Sequence, residues 1–178
     1  MSEGPTLEEI HSTEEIRARI RALAERLLRD YPAGPLKFLV IAEGARRFAG
    51  ALVDALGDER ERVETVIVRA RRTRGTELVG VEVDPIDARV LEAADVLVLD
   101  DIADEGRTLE AVLSSVRTQR PRSVRVAVLV SKQERRRVEV PLDYVGFQVK
   151  HGWVVGFGMD LEGRYRDLDY LAIATGRD

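Results

Sequence analysis

The chain has 178 residues, 34% of them charged, with a formal net charge of -4 and no cysteine. That length suits one domain with its own core, the mild acidity offers no footprint for nucleic acid or a membrane surface, and the missing thiols exclude disulfides and thiolate metal sites, so a metal would be held by oxygens, as Mg²⁺ is. No apolar run approaches a membrane span, and Met1-Ser2-Glu3-Gly4-Pro5 has neither the basic start nor the apolar stretch of a signal peptide, so a cytoplasmic protein is expected.

Residues 1–11 carry few core candidates and are expected to form a loose arm. Ser12-Thr13-Glu14-Glu15 has the form of a capping box, and Ile16, Ile20, Leu23 and Leu27 follow at helical spacing, which predicts an amphipathic helix to about Asp30. Tyr31-Pro32-Ala33-Gly34-Pro35 ends it. Leu36 to Ile41 reads as a buried strand, and Phe48, Leu52 and Leu56 place a second helix between a turn at Glu43-Gly44 and a stop at Gly57. Val66-Ile67-Val68 predicts a short strand, Arg69 to Gly75 a basic loop, and Val79 to Val83 a return strand. Val96 to Leu99, a helix over Thr108 to Thr118 and Val124 to Val130 then form a β–α–β unit. This order implies an α/β fold with a mainly parallel twisted sheet, helices on both faces and ligands at the carboxyl ends of the strands.

The most informative stretch is Val96-Leu97-Val98-Leu99-Asp100-Asp101-Ile102-Ala103-Asp104-Glu105-Gly106-Arg107-Thr108-Leu109. A strand apolar on both faces gives way to adjacent acids, which must sit where water or a ligand solvates them. Gly106 permits a tight turn with exposed amides, and the helix near Thr108 directs its positive end at that turn. Such a turn holds phosphate.

This spacing resembles the phosphate-and-ribose fingerprint of the type I phosphoribosyltransferases. Asp143-Tyr144-Val145-Gly146-Phe147, then Trp153-Val154-Val155-Gly156-Phe157-Gly158-Met159-Asp160 and Arg164-Tyr165-Arg166-Asp167-Leu168, look like the C-terminal signature of the hypoxanthine/guanine branch. Lys132-Gln133-Glu134-Arg135-Arg136 is similar to the segment linking the two, so the resemblance is nearly full length. It implies one domain over residues 1–178, with a small hood made from the chain ends that includes Trp153. It also implies purine salvage: a 6-oxopurine, hypoxanthine or guanine, displaces pyrophosphate from 5-phosphoribosyl 1-pyrophosphate with Mg²⁺ bound. By resemblance, Asp100 and Asp101 bind the ribose, and Asp104, Glu105, Gly106, Arg107 and Thr108 cradle the 5-phosphate. Asp104 exchanges a proton with the purine, Trp153 and Val154 hold the base, and Glu43, Gly44 and Arg166 occupy the pyrophosphate positions. Asp160 and Asp100 are the metal-side carboxylates. A homo-oligomer, dimer or tetramer, is implied as well, with no nucleic-acid or membrane partner.

Several positions depart from the family pattern. Glu43 stands where a lysine precedes glycine, and Arg46 and Arg47 lie close enough in sequence to substitute for it. The mobile lid, a serine-tyrosine pair in the family, is replaced by arginines and one threonine over Arg69 to Gly75, a basic cover suited to an anionic donor. By the same resemblance, Pro141 falls where the family has the lysine that donates to the purine 6-oxo group, and proline cannot donate. Lys150 and His151 are the nearby candidates. Glu105 replaces a usual threonine, so its carboxylate must point away from phosphate or weaken binding. These departures keep two other readings open: a nucleotide-binding or regulatory protein with weak or no turnover, and transfer to a different base.

Overall fold

The computed structural model describes residues 5–74 and 79–176. Ser12 opens the first helix, α1 (Thr13–Asp30), through a reciprocal box in which the Glu15 amide donates to Ser12 Oγ and the Ser12 amide donates to the Glu15 carboxylate. Strand β2 (Leu36–Ala42) and helix α2 (Ala45–Ala55) follow, then a 3₁₀ turn over Gly57–Arg62. Next come β3 (Val63–Arg74), β4 (Val79–Val83) and the short α3 (Ala88–Leu91), before β5 (Asp95–Ala103) leads into α4 (Arg107–Thr118). Strands β6 (Ser123–Lys132) and β7 (Tyr144–Val149) complete a six-stranded sheet in the order β4-β3-β2-β5-β6-β7. Every neighbouring pair in it is parallel except β3 with β4.

The strands are apolar almost throughout because helices cover both faces. Phe38, Val40, Leu97, Leu99 and Leu129 face α1 and α2, joining Ile16, Ile20, Phe48 and Leu52 in one core cluster. The alternate residues Leu39, Ile41, Val96, Val98 and Val128 join Leu109, Val112, Leu113 and Val116 of α4 in the other. Each fully buried side chain of this size contributes about 1.5–3 kcal/mol, and β5 stays apolar from Val96 to Leu99 before turning polar at Asp100.

Three expectations need correction. The loose arm is a strand, β1 (Thr6–His11), paired antiparallel with β9 (Leu171–Thr175), which also pairs with β8 (Trp153–Val155). Its partner lies at the other end of the chain, and Glu8 and Glu9 mark it as a charged edge that local pattern does not reveal. Together these strands form the hood expected from the chain ends. The basic loop from Arg69 is also a strand: β3 continues to Arg74, with Ala70 opposite Val83 and Arg74 opposite Val79, while Gly75 lies outside the described residues. Backbone pairing sustains this ribbon along its length, and the facing residues Ala70 and Val83 pack against the core. Finally, β5 does not end at Leu99 but carries Asp100 and Ile102 into register with Val128 and Val130 of β6.

Candidate functional site

A cleft of about 420 Å³ opens at the carboxyl ends of β2, β5 and β6, roofed by the hood. One wall contains Asp100, Asp101, Asp104, Glu105, Gly106, Arg107 and Thr108; the other contains Trp153, Val154 and Asp160. Gly44, Lys132 and Arg135 also line it.

Asp100 and Asp101 face the cleft from the end of β5. The Asp101 amide donates to Asp100 Oδ1 at 3.0 Å, and the Ile102 amide donates to Asp101 Oδ1 at 2.8 Å, which fixes both carboxylates. Burial pushes the Asp101 carboxyl above the usual range, against smaller opposing effects that include the charge of Arg166. The chain then turns at Gly106, whose φ of 89° lies in the left-handed region and whose α-carbon sits against the Val138 carbonyl. The amides of Arg137 and Val138 both donate to the Glu105 carbonyl at 3.0 Å, so the 133–138 segment braces the turn from outside. Arg136 ties that segment down by donating to the carbonyls of Ala103 and Lys132 and to Ser131 Oγ. The Glu105 carboxylate lies 3.3 Å from Arg135 Nη2 and 3.8 Å from Arg107 Nε, so two cations offset its charge beside the amides.

Asp104 Oδ1 is buried without a hydrogen-bond partner, an arrangement that invites a ligand donor. Its nearest cations are Lys132 Nζ at 3.7 Å and, at Oδ2, Arg135 Nη1 at 3.5 Å. Lys132, placed by sequence only in the segment that links the two motifs, is a cleft residue. It is 5% exposed and donates to the Gly152 carbonyl at 2.8 Å, leaving further Nζ protons within reach of Asp104. Lys150 and His151 are exposed and do not line the cleft. A lysine ending the apolar run Val124 to Val130, beside the acids of β5, was the available signal.

Trp153 projects from β8 with 46% of its surface exposed, and its Nε1 donates to the Asp160 carbonyl at 3.0 Å. The Asp160 carboxylate accepts from the Gly163 amide at 2.6 Å and from Arg166 Nη2 at 2.7 Å. Arg166 and Glu43 do not themselves line the cleft. Glu43 pairs with Arg46 Nε at 2.9 Å, both half exposed. Arg47 turns the other way, into the hood, and so does not replace the cation missing at Glu43.

Among the described residues, no group of three or more acids or histidines is arranged to hold a metal. Mg²⁺ typically keeps water and substrate phosphate as most of its ligands and takes only one or two carboxylates. Asp100 and Asp101, consecutive residues of β5 that both line the cleft, supply that number of carboxylates. Both Asp160 oxygens already have protein partners.

Residues 6–162 match the family described as phosphoribosyl transferase domain. The chain is 40% identical over 89 residues to a hypoxanthine-guanine phosphoribosyltransferase of Mycobacterium avium, covering 50% of this chain and 44% of that protein's length. It is 32% identical over 168 residues to one from Dictyostelium discoideum, covering 92% and 93% of the two chains. The solved hypoxanthine phosphoribosyl transferase of Trypanosoma cruzi superposes with a TM-score of 0.85 at 28% identity, covering 98% of this chain and 93% of that one.

Proposed function

Since the chain belongs to the phosphoribosyl transferase domain family, we propose that it joins a 6-oxopurine, hypoxanthine or guanine, to 5-phosphoribosyl 1-pyrophosphate, releasing pyrophosphate and a purine nucleoside monophosphate. The observation that carries this reading is the facing of two chemistries across one cleft: acids and a phosphate-type turn on one wall and an indole on the other, with a buried lysine beside Asp104.

In this reading the backbone amides around Gly106, the Thr108 hydroxyl and the positive end of α4 receive the 5-phosphate. Asp100 and Asp101 accept from the ribose hydroxyls, and their charge stabilises the oxocarbenium character that develops at the anomeric carbon. The purine lies against Trp153, with Val154 beneath it, and Lys132 Nζ donates to the 6-oxo group, the contact that Pro141 cannot make. As the ring nitrogen bonds to the anomeric carbon and the carbon–oxygen bond to pyrophosphate breaks, the ring proton passes to the unpartnered Oδ1 of Asp104. Lys132 stabilises Asp104 while it is ionised. Asp100 and Asp101 would hold Mg²⁺, which would supply charge neutralisation for the leaving pyrophosphate. Arg166 and the turn at Glu43-Gly44 complete the pyrophosphate end, and Asp160 holds Arg166 there. A cytoplasmic homo-oligomer, dimer or tetramer, belongs to the same reading.

The direct test supplies 5-phosphoribosyl 1-pyrophosphate, Mg²⁺ and, separately, hypoxanthine, guanine, xanthine and adenine, and follows pyrophosphate release. Release with hypoxanthine or guanine supports the assignment. Release with adenine alone moves the activity to another base, and nucleotide binding without release with any base makes the protein a binder.

A further inference from the structure

Arg47 stands at the start of α2, three residues after Gly44, yet its side chain leaves the pyrophosphate turn and enters the hood. Nη1 donates to the carbonyls of Leu168 at 2.9 Å and Arg166 at 3.2 Å, Nη2 pairs with the Asp169 carboxylate, and the guanidinium lies 4.7 Å from the centre of the Phe157 ring. The same two carbonyls accept from the hood's own amides, Phe157 onto Leu168 and Gly158 onto Arg166. Arg47 therefore completes a ladder inside the loop that carries Asp160, on whose carbonyl Trp153 is seated.

A second contact joins the same two parts. Gly158 presses on the Gly44 carbonyl so closely that a Cβ at Gly158 would lie 2.4 Å from that oxygen, while Gly44 rests on Asp101. Hood loop, pyrophosphate turn and ribose acid are thus in series, and Arg47 is the charged tie that holds the first against the second. A planar fork making bidentate contacts while stacked on a ring fixes orientation in a way that a flexible cation does not.

We propose that Arg47 is a positioning residue that couples the two ends of the cleft, so that pyrophosphate at the Gly44 turn and a purine base under Trp153 each strengthen the other's binding. The inference rests on the function proposed above. Coupling of this kind is reciprocal, and its usual size is about 5- to 150-fold in affinity.

Hypoxanthine and Mg²⁺-pyrophosphate test it without turnover, because the pair lacks a ribose and does not react. Calorimetric titration of hypoxanthine into the intact protein, with and without saturating Mg²⁺-pyrophosphate, is expected to show affinity raised roughly fivefold or more by pyrophosphate. In Arg47→Met, which keeps the aliphatic stem over Phe157, the factor should fall to within about twofold of unity. Asp169→Asn should lower it partway, and should add nothing in the Arg47→Met background. If Arg47→Met does not fold, Asp169→Asn alone decides, since a full wild-type factor there overturns the proposal. Binding of both ligands to the wild type without coupling, or undiminished coupling in folded Arg47→Met, also overturns it while leaving the function intact. Failure of the wild type to bind either ligand overturns the function and the coupling together.

Discussion

The α-carbon of Gly44 rests on the Asp101 carboxylate, so closely that a methyl group there would come within 1.8 Å of Oδ2. The φ of -58° at Gly44 is ordinary for any residue, so glycine is required by its neighbour and not by its backbone. Gly44→Ala is therefore expected to displace Asp101 while leaving the helix that follows intact. A displacement of the order of 1 Å lowers kcat/KM by roughly 100-fold, with a melting temperature close to wild type. Steady-state kinetics beside a thermal melt check the pair of outcomes, and unchanged kinetics would mean that Asp101 yields harmlessly.

Burial raises the Asp101 pKa above the ordinary aspartate value, against smaller opposing effects. The folded protein thus retains a proton that the unfolded chain has released, and this group's contribution to stability declines as pH rises through the carboxylate range and up to the raised value. Asp101→Asn is expected to melt higher than wild type at neutral pH, by roughly 2–4 °C for each ~1 kcal/mol recovered, and the gap should close in acid. Turnover should be lost in the same variant. Melting curves across pH 3–8 test this, and a variant less stable than wild type at neutral pH would contradict it.

Lys132→Met keeps the buried stem but removes the donor facing Asp104 and Gly152. A charged hydrogen bond of this kind is worth about 1.5–3 kcal/mol, so hypoxanthine affinity should fall roughly 10- to 150-fold. A purine lacking the 6-oxo group should bind both forms alike. Equal losses for the two ligands would show that Lys132 shapes the cleft without reading the base.

His11 stacks on Phe147 with ring centres 3.9 Å apart, and burial lowers its pKa from 6.5, outweighing the opposite pull of Glu15. Arg19, whose guanidinium lies over Phe147, acts in the same direction as burial. The unfolded chain takes up a proton near 6.5 that the folded protein resists, so this contribution to stability is full above that pH and is lost as pH falls through 6.5 toward the depressed value. His11→Phe keeps a stacking ring and should flatten that part of the stability profile. Denaturant midpoints at pH 5, 6 and 7.5 would show it, and an unaltered slope would remove His11 from the account.

Much of the scaffold was legible because its signals are local. Ser12 and Glu15 specify the first helix, the continuous apolar runs of β2 and β5 specify a sheet covered on both faces, and Gly106 marks the turn between acids and helix. What escaped depends on residues far apart. Lys132 becomes part of the cleft only because β6 lies beside β5, β1 is a strand only because β9 pairs with it, and Arg47 belongs to the hood only through carbonyls more than a hundred residues away. The arginines of β3 misled for a related reason: they resemble a solvated loop until a facing strand supplies their backbone partners.

The pairing of Thr6 with Thr175 spans 169 positions, and it divides the assembly of the cleft in time. The acids, the phosphate turn and Lys132 are synthesised before β9, the middle strand on which both β1 and β8 depend. Closing so long a loop is entropically unfavourable and slow, so the sheet forms first and the hood condenses on it. A translational pause or a slow-folding variant therefore leaves a protein with a place for ribose phosphate and no wall for the purine.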